Sequence, residues 1–283
     1  AAEAVLAQRE QLTAARAADD KAAIARATAA VQQAMQALRE RQGKDPLVHV
    51  EVTPEVVGQV IADWTGIPVG NMVRDEADLL LRLEQELIER VKGQDHVMRT
   101  VAEGIRAAKA GLKPPEAPMG VFLFVGPSGV GKTETALAVA DLLFGGERFM
   151  TTINMSEFKE KHNISRLIGS PPGYVGYGEG GVLTEAVRQR PYSVVLLDEC
   201  EKASLEVMEL FYQVFDKGSL SDGEGREVDF KDTVIFLTSN LATDVLTEAG
   251  MSETPPDPEA LAALIRPILS AHFKPALLAR MTI

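Results

Sequence analysis

The octapeptide Gly126-Pro127-Ser128-Gly129-Val130-Gly131-Lys132-Thr133 joins an apolar run, Val121–Val125, to a helix-compatible segment, Glu134–Leu143. Glycines at these spacings let backbone N–H groups converge on one anion, and a helix starting there adds partial positive charge at its N-terminus. The pattern also sets the Lys132 ammonium to reach β- and γ-phosphates and the Thr133 hydroxyl to bind Mg²⁺. An ordinary Gly-rich turn is the plain alternative. The strand–loop–helix setting favours a nucleotide site.

A second apolar run, Val194–Leu197, ends in Asp198-Glu199. At the carboxyl end of a strand beside the phosphate loop, Asp198 would lie near the Mg²⁺ and Glu199 would polarise an attacking water as general base. A third run, Val234–Leu237, leads into Thr238-Ser239-Asn240, where a polar side chain could hold the water or the γ-phosphate. Taken alone, Asn240 is better explained as a turn former.

The elements that must position these groups follow from periodicity. Short apolar runs at Val121–Val125, Phe149–Ile153, Val194–Leu197 and Val234–Leu237 alternate with helical segments, and Met281-Thr282-Ile283 starts a fifth. Alternation of this kind predicts an α/β fold with a parallel sheet of five strands between helices. Upstream, Leu79, Leu80, Leu83, Leu87 and Ile88 form one helical stripe, and another helix spans about Asp95 to Ala110 before Gly111. Thr53-Pro54-Glu55 predicts an N-cap with proline at the first helical position, on a helix running to Trp64. Val48, Val50 and Val52 alternate as in a strand.

The first 42 residues contain neither Gly nor Pro and are rich in Ala, Gln, Arg and Glu. Ile24, Val31 and Leu38 recur every seven residues with Met35 between the last two, and Ala18-Asp19-Asp20 interrupts the pattern. This predicts an amphipathic helical hairpin packed on a neighbouring domain rather than an autonomous coiled coil. The expected organisation is a helical segment over 1–42, a linker with its first helices over 43–85, and the catalytic α/β domain over 86–283. Beginning at Ala1 and stopping inside an apolar run, the chain reads as part of a longer protein.

Composition narrows the function classes. The 283 residues carry 29 Lys plus Arg against 41 Asp plus Glu, a formal charge of −12. Such a balance disfavours broad nucleic-acid binding, which needs cations to displace phosphate counterions. One cysteine, Cys200, excludes an intrachain disulfide and a multi-cysteine zinc site, and suits a reducing, cytoplasmic compartment. No apolar run approaches the roughly 18 residues needed to cross a bilayer, so membrane insertion is not expected.

Beyond the phosphate loop, the residues resemble an AAA+ ATPase of the Clp/Hsp100 unfoldase group, in its second ring. The resemblance covers about residues 44–283 and rests on Gly169-Ser170-Pro171-Pro172-Gly173-Tyr174-Val175-Gly176-Tyr177, Glu179-Gly180-Gly181, Trp64-Thr65-Gly66-Ile67-Pro68 and Asp222-Gly223-Glu224-Gly225-Arg226. Phe211–Gly218 and Phe273–Leu278 are more similar to the ClpV (TssH) branch, which unfolds contracted type VI secretion sheath, than to the ClpB disaggregase branch. Cys200 and Ser204-Leu205 depart from the usual pattern but leave the acidic pair intact.

The resemblance implies the AAA+ P-loop large subdomain and a homohexamer that threads polypeptide substrate, with type VI sheath proteins as cargo. It implies ATP and ADP as the nucleotides, that Arg280 is an arginine finger reaching the neighbouring subunit's γ-phosphate, that Asn240 is sensor 1, and that Val91-Lys92-Gly93-Gln94 is the segment around the adenine, with Lys92 where an aliphatic residue is usual. Tyr174 and Val175 would form a substrate-gripping pore loop, and Ser219–Phe230 a second pore-facing loop. The small lid subdomain and its sensor 2 arginine are expected beyond Ile283. No loop for docking the ClpP protease is found in residues 241–258. Two other classes remain open: a nucleic-acid AAA+ motor or clamp loader, and a nucleotide-dependent assembly module without turnover.

Overall fold

The computed structural model describes residues 2–18, 20–42, 50, 52, 54–65, 76–174, 176–252 and 256–283. The chain divides into two compact units, 1–60 and 61–283.

In the first unit, α1 (Ala2–Ala17) and α2 (Lys21–Gln42) pack against each other as a hairpin. Asp20 starts α2, its carboxylate accepting from the N–H groups of Ala22 and Ala23 at 3.0 and 3.1 Å. Of the seven-residue stripe, Val31 and Leu38 are buried while Ile24 and Met35 are half-buried, and Val5 of α1 is buried as well. Val50 and Val52 lie in no strand, Val52 being 82% exposed, and Val48 falls outside the described residues. Helix α3 (Pro54–Thr65) begins at the expected proline. Residues 66–68 of the Trp64–Pro68 motif also fall outside the described set.

The second unit opens with α4 (Glu76–Arg90) and α5 (Asp95–Lys109). It continues with β1 (Gly120–Val125), α6 (Lys132–Phe144), β2 (Met150–Asn154), α7 (Ile164–Ile168), α8 (Val182–Gln189), β3 (Val194–Asp198) and α9 (Leu205–Lys217). The short strands β4 (Ser219–Ser221) and β5 (Glu227–Asp229) form an antiparallel hairpin ahead of β6 (Val234–Ser239), and α10 (Thr243–Gly250), α11 (Pro258–His272) and α12 (Pro275–Leu278) follow.

Strands β1, β6, β3 and β2 lie side by side in that order, all parallel. The fifth run contributes one bridge rather than a ladder: Thr282 pairs with β1 opposite Phe122, donating to Val121 O at 2.9 Å and accepting from Leu123 N at 2.8 Å. The described sheet therefore has four strands where five are expected, with the fifth run touching its edge beside β1.

Side-chain alternation feeds two cores, one on each face of the sheet. Phe122, Leu196 and Phe236 pack with Leu83 and Leu87 of α4, Ile105 of α5 and Val139 of α6. Leu123, Val195, Leu197 and Leu237 pack with Leu183 of α8, Phe211 of α9, Leu269 of α11 and Leu277 of α12. The parallel register brings Val125 level with Ser239 and Asn154 level with Asp198, so the polar carboxyl ends of the strands form one rim.

Candidate nucleotide site

At that rim β1 runs into the phosphate loop and α6 starts at Lys132, two residues earlier than the helix-compatible segment suggests. Gly131 has φ 101°, a backbone that favours glycine, and a Cβ there would stand 3.0 Å from Val91 Cγ1. The loop is therefore seated directly on the end of α4's turn. Lys132 Nζ donates to the carbonyls of Gly126 at 2.5 Å and Pro127 at 2.9 Å, and to Asn240 Oδ1 at 3.1 Å. Burial lowers the Lys132 pKa, opposed by the charges of Asp198 and Glu201. Its three acceptors are neutral, so a phosphate oxygen would be a stronger partner than any of them.

Thr238, at the end of β6, ties the acidic pair together. Its hydroxyl donates to Asp198 Oδ1 at 2.5 Å and accepts from Glu199 N at 3.0 Å. Glu199 has φ 56°, a left-handed conformation that costs a residue with a side chain about 1–3 kcal/mol. Its carboxylate pairs with Lys202 Nζ at 2.6 Å, and this hydrogen bond raises the Lys202 pKa. Nearby, Glu201 Oε1 accepts from Asn240 N at 3.2 Å, while its Oε2 is buried without a hydrogen-bond partner among the described residues. Cys200 beneath the pair is fully buried, and burial pushes its thiol pKa up, leaving it unreactive.

Beside the loop lies a cleft of about 440 Å³. It is bounded by Gln94, Val97 and Val101, by Phe124 and Val125 of β1, by Gly126 and Gly131, by Leu246 of α10, and by Leu261 and Ile265 of α11. Mostly apolar walls next to an anion cradle suit a flat heterocycle attached to phosphates. Of the segment named for the adenine, Gln94 lines this cleft, Val91 is buried behind Gly131, and Lys92 is exposed.

The donor set fits a magnesium nucleotide. The exposed Thr133, the Asp198 carboxylate and the unpartnered Glu201 oxygen are the candidate ligands or water-holders. Among the described residues no three His, Cys, Asp or Glu side chains converge as a ready-made metal cage. Mg²⁺ keeps waters and phosphate oxygens as ligands alongside one or two carboxylates, so Asp198 and Thr133 would be enough to hold it.

The family model for the AAA domain (Cdc48 subfamily) matches residues 117–283. The chain belongs to the AAA+ family. This AAA+ chain is 54% identical over 241 residues to the AAA+ ATPase ClpV1 of Pseudomonas aeruginosa, covering 85% of the chain and 27% of that relative. It is also 54% identical over 239 residues to the chaperone protein ClpB of Yersinia enterocolitica, covering 84% of the chain and 27% of that relative. It thus spans about a quarter of the length of these relatives. A solved structure of Hsp104 with ATPγS and FITC-casein superposes with a TM-score of 0.69 at 35% identity, covering 81% of the chain and 39% of that protein. These likenesses make it a nucleotide-binding AAA+ domain of the Clp/Hsp100 type.

Lys132, Asp198, Glu199 and Asn240 thus meet at one rim, as the motif spacing suggests. Arg280 does not join them: it bonds to Asp216, Ala276 O and the face of Tyr212. Tyr174 is 70% exposed in a turn, Tyr177, three residues on between Gly176 and Gly178, is also exposed, and Val175 falls outside the described residues. Sequence reasoning assigned no part to Thr238 as the clamp on both acidic residues, to Lys202, to Glu201, or to Leu246, Leu261 and Ile265 in the cleft. Glu201, two residues past Glu199, carried the one signal available, a third acid after the strand. Among the described residues no helix is long and apolar enough to cross a membrane.

Proposed function

We propose that this chain is the motor domain of the second ring of a hexameric, cytoplasmic unfoldase that hydrolyses ATP to thread polypeptide, with contracted type VI secretion sheath as its cargo. The observation that carries this reading is the convergence of Lys132, Asn240, Asp198 and Glu199 at the strand ends, in a chain that also exposes Tyr174 on a glycine-bounded loop.

In this reading the loop amides and Lys132 hold the β- and γ-phosphates, Lys132 giving up the carbonyls of Gly126 and Pro127. Thr133 and Asp198 would hold Mg²⁺, which would neutralise phosphate charge. Glu199, released from Lys202, takes the proton of a water whose oxygen attacks the γ-phosphorus as the bond to ADP breaks. Asn240 orients the water or the γ-phosphate, and Arg280 of the neighbouring subunit stabilises the charge that develops. Tyr174 grips the threaded chain, since an aromatic ring offers contact area without demanding a particular sequence.

Equal identity to ClpB supports a second reading of cargo, in which the same motor extracts chains from aggregates. The deciding experiment gives the full-length protein contracted sheath tubules and, separately, heat-aggregated enzyme, with ATP. Sheath disassembly without reactivation upholds the proposal; reactivation without sheath activity replaces it with the disaggregase. Failure of both, with ATPase intact, would remove the unfoldase reading itself.

A further inference from the structure

The Tyr174 loop springs from the junction of α7 and α8, bounded by Gly169 and Gly181. The turn between β4 and β5, residues 222–226, lies against that junction. Gly223 N donates to Ile168 O at 3.0 Å, and the Thr184 hydroxyl on α8 donates to the same oxygen at 3.2 Å. Contact is close enough to exclude side chains. A Cβ on Gly223 would sit 2.3 Å from Gly169 O, and one on Gly181 would sit 2.3 Å from the Ile168 carbonyl carbon. Both neighbours are backbone, which cannot swing aside as a side chain would.

Asp222 fastens this contact. It is 8% exposed, and its Oδ1 accepts from Glu224 N at 2.9 Å and Arg226 N at 2.8 Å. Its Oδ2 accepts from Arg226 Nε at 2.9 Å and from Arg188 Nη2 at 2.5 Å. Arg188 stands on α8, where its Nη1 also donates to Glu185 Oε2 at 2.9 Å. Burial alone would raise the Asp222 pKa, but the Arg226 N–H and the two guanidinium groups outweigh it and hold the carboxyl at about 2. Helix α8 packs against β5 and buries Leu183 and Val187 in the core under the sheet. One carboxylate therefore joins the β4–β5 turn to the helix that carries the far end of the Tyr174 loop.

We infer that Asp222 and Arg188 lock the Tyr174 loop and the β4–β5 turn into one moving element, so that the two loops shift together on α8 rather than separately. The inference rests on the unfoldase reading for its purpose. Two loops stepping as one would keep a threaded chain held at two heights through each stroke. The geometry of the link stands apart from that reading. Asp222 and Arg188 are positioning residues, since neither is placed on nucleotide or cargo.

Amide hydrogen exchange tests it directly on the full chain, comparing wild type with Asp222→Asn and, because a buried substitution can impair folding, with the more exposed Arg188→Gln. Loss of the ion pair should speed exchange about 10-fold both at residues 222–226 and across 169–181, including the Tyr174 and Tyr177 amides. Across 169–181 the double variant should add little to Asp222→Asn alone, the mark of an interaction that Arg188 shares with Asp222. Acceleration confined to 222–226, with 169–181 unchanged, overturns the link. In the full-length protein, residues threaded per ATP hydrolysed should fall about 5-fold in Arg188→Gln and recover in part with Arg188→Lys, which restores charge without the forked geometry. An unchanged ratio overturns coordinated gripping. Absence of threading by the wild type would instead defeat the unfoldase reading, and normal threading by Tyr174→Ala would defeat the gripping role of Tyr174, while the exchange result would still judge the link.

Discussion

The guanidinium carbon of Arg280 lies 4.0 Å from the centre of the Tyr212 ring, and its Nε donates to Asp216 Oδ1 at 2.9 Å. Both partners belong to α9 of the same chain, one turn apart. Stacking and a charged acceptor hold a planar guanidinium better than they would an ammonium. The residue proposed to act on a neighbouring subunit is therefore already oriented by its own.

From this follows a test in trans. Arg280→Ala should lower the ATPase kcat of the assembled ring by ~10³-fold while nucleotide affinity stays within a few-fold. Rings mixed from Arg280→Ala and Lys132→Ala subunits should regain part of the hydrolysis. Each Arg280→Ala subunit keeps its own Lys132 and can borrow Arg280 from a Lys132→Ala neighbour. No recovery at any mixing ratio would place the function of Arg280 within its own subunit.

Lys132 gives a prediction about binding that needs no ring. A ligand at 100 times its Kd stabilises the folded state by about 2.7 kcal/mol, which for a chain of this size raises Tm by roughly 5–10 °C. Calorimetry with MgATP should show that rise for the wild type. Lys132→Ala removes the ammonium that contacts Gly126, Pro127 and Asn240 and should abolish most of the shift. An equal shift in the variant would move the phosphates away from this loop.

Glu199 separates binding from turnover. Glu199→Gln keeps the left-handed backbone and the N–H donated to Thr238, yet cannot take a proton. It should retain nucleotide affinity and lose ~10²–10⁴-fold in kcat. Single-turnover measurements check this, and normal hydrolysis by the variant would strike Glu199 from the role of base. Thr238→Val should impair both steps more modestly, because it releases Asp198 and Glu199 together.

What was legible in the sequence was local. The phosphate loop is a contiguous pattern between a strand and a helix, and the four ladder strands are short apolar runs whose identity needs no knowledge of their neighbours. The features that escaped depend on pairing between distant positions. Thr238 reaches Asp198 and Glu199 only because β6 lies beside β3 in a register that aligns Leu237 with Leu197. Asp222 finds Arg188, and Arg280 finds Asp216, by packing that no spacing encodes. Within the adenine segment that the resemblance implies, Val91–Gln94, Gln94 lines the cleft while Val91 is committed to packing under Gly131. The valines at 50 and 52 alternate, yet alternation alone cannot supply a partner strand, and neither residue joins one.

Asp222 makes a prediction about acid. Its carboxyl titrates at about 2 in the folded chain against ~3.9 when unfolded, because burial is outweighed by the N–H of Arg226 and the guanidinium groups of Arg188 and Arg226. A depressed folded pKa contributes stability that is fully present above the unfolded value and is lost as pH falls through the folded one. Wild type should therefore melt above Asp222→Asn by a constant margin from about pH 5 to 7. The margin should shrink between about pH 4 and pH 2, as the unfolded carboxyl takes up a proton that the folded one resists. Melting curves of both proteins across that range check the sign. A margin that widens on acidification would mean that Asp222 is protonated in the folded chain and that Arg188 is held by something else.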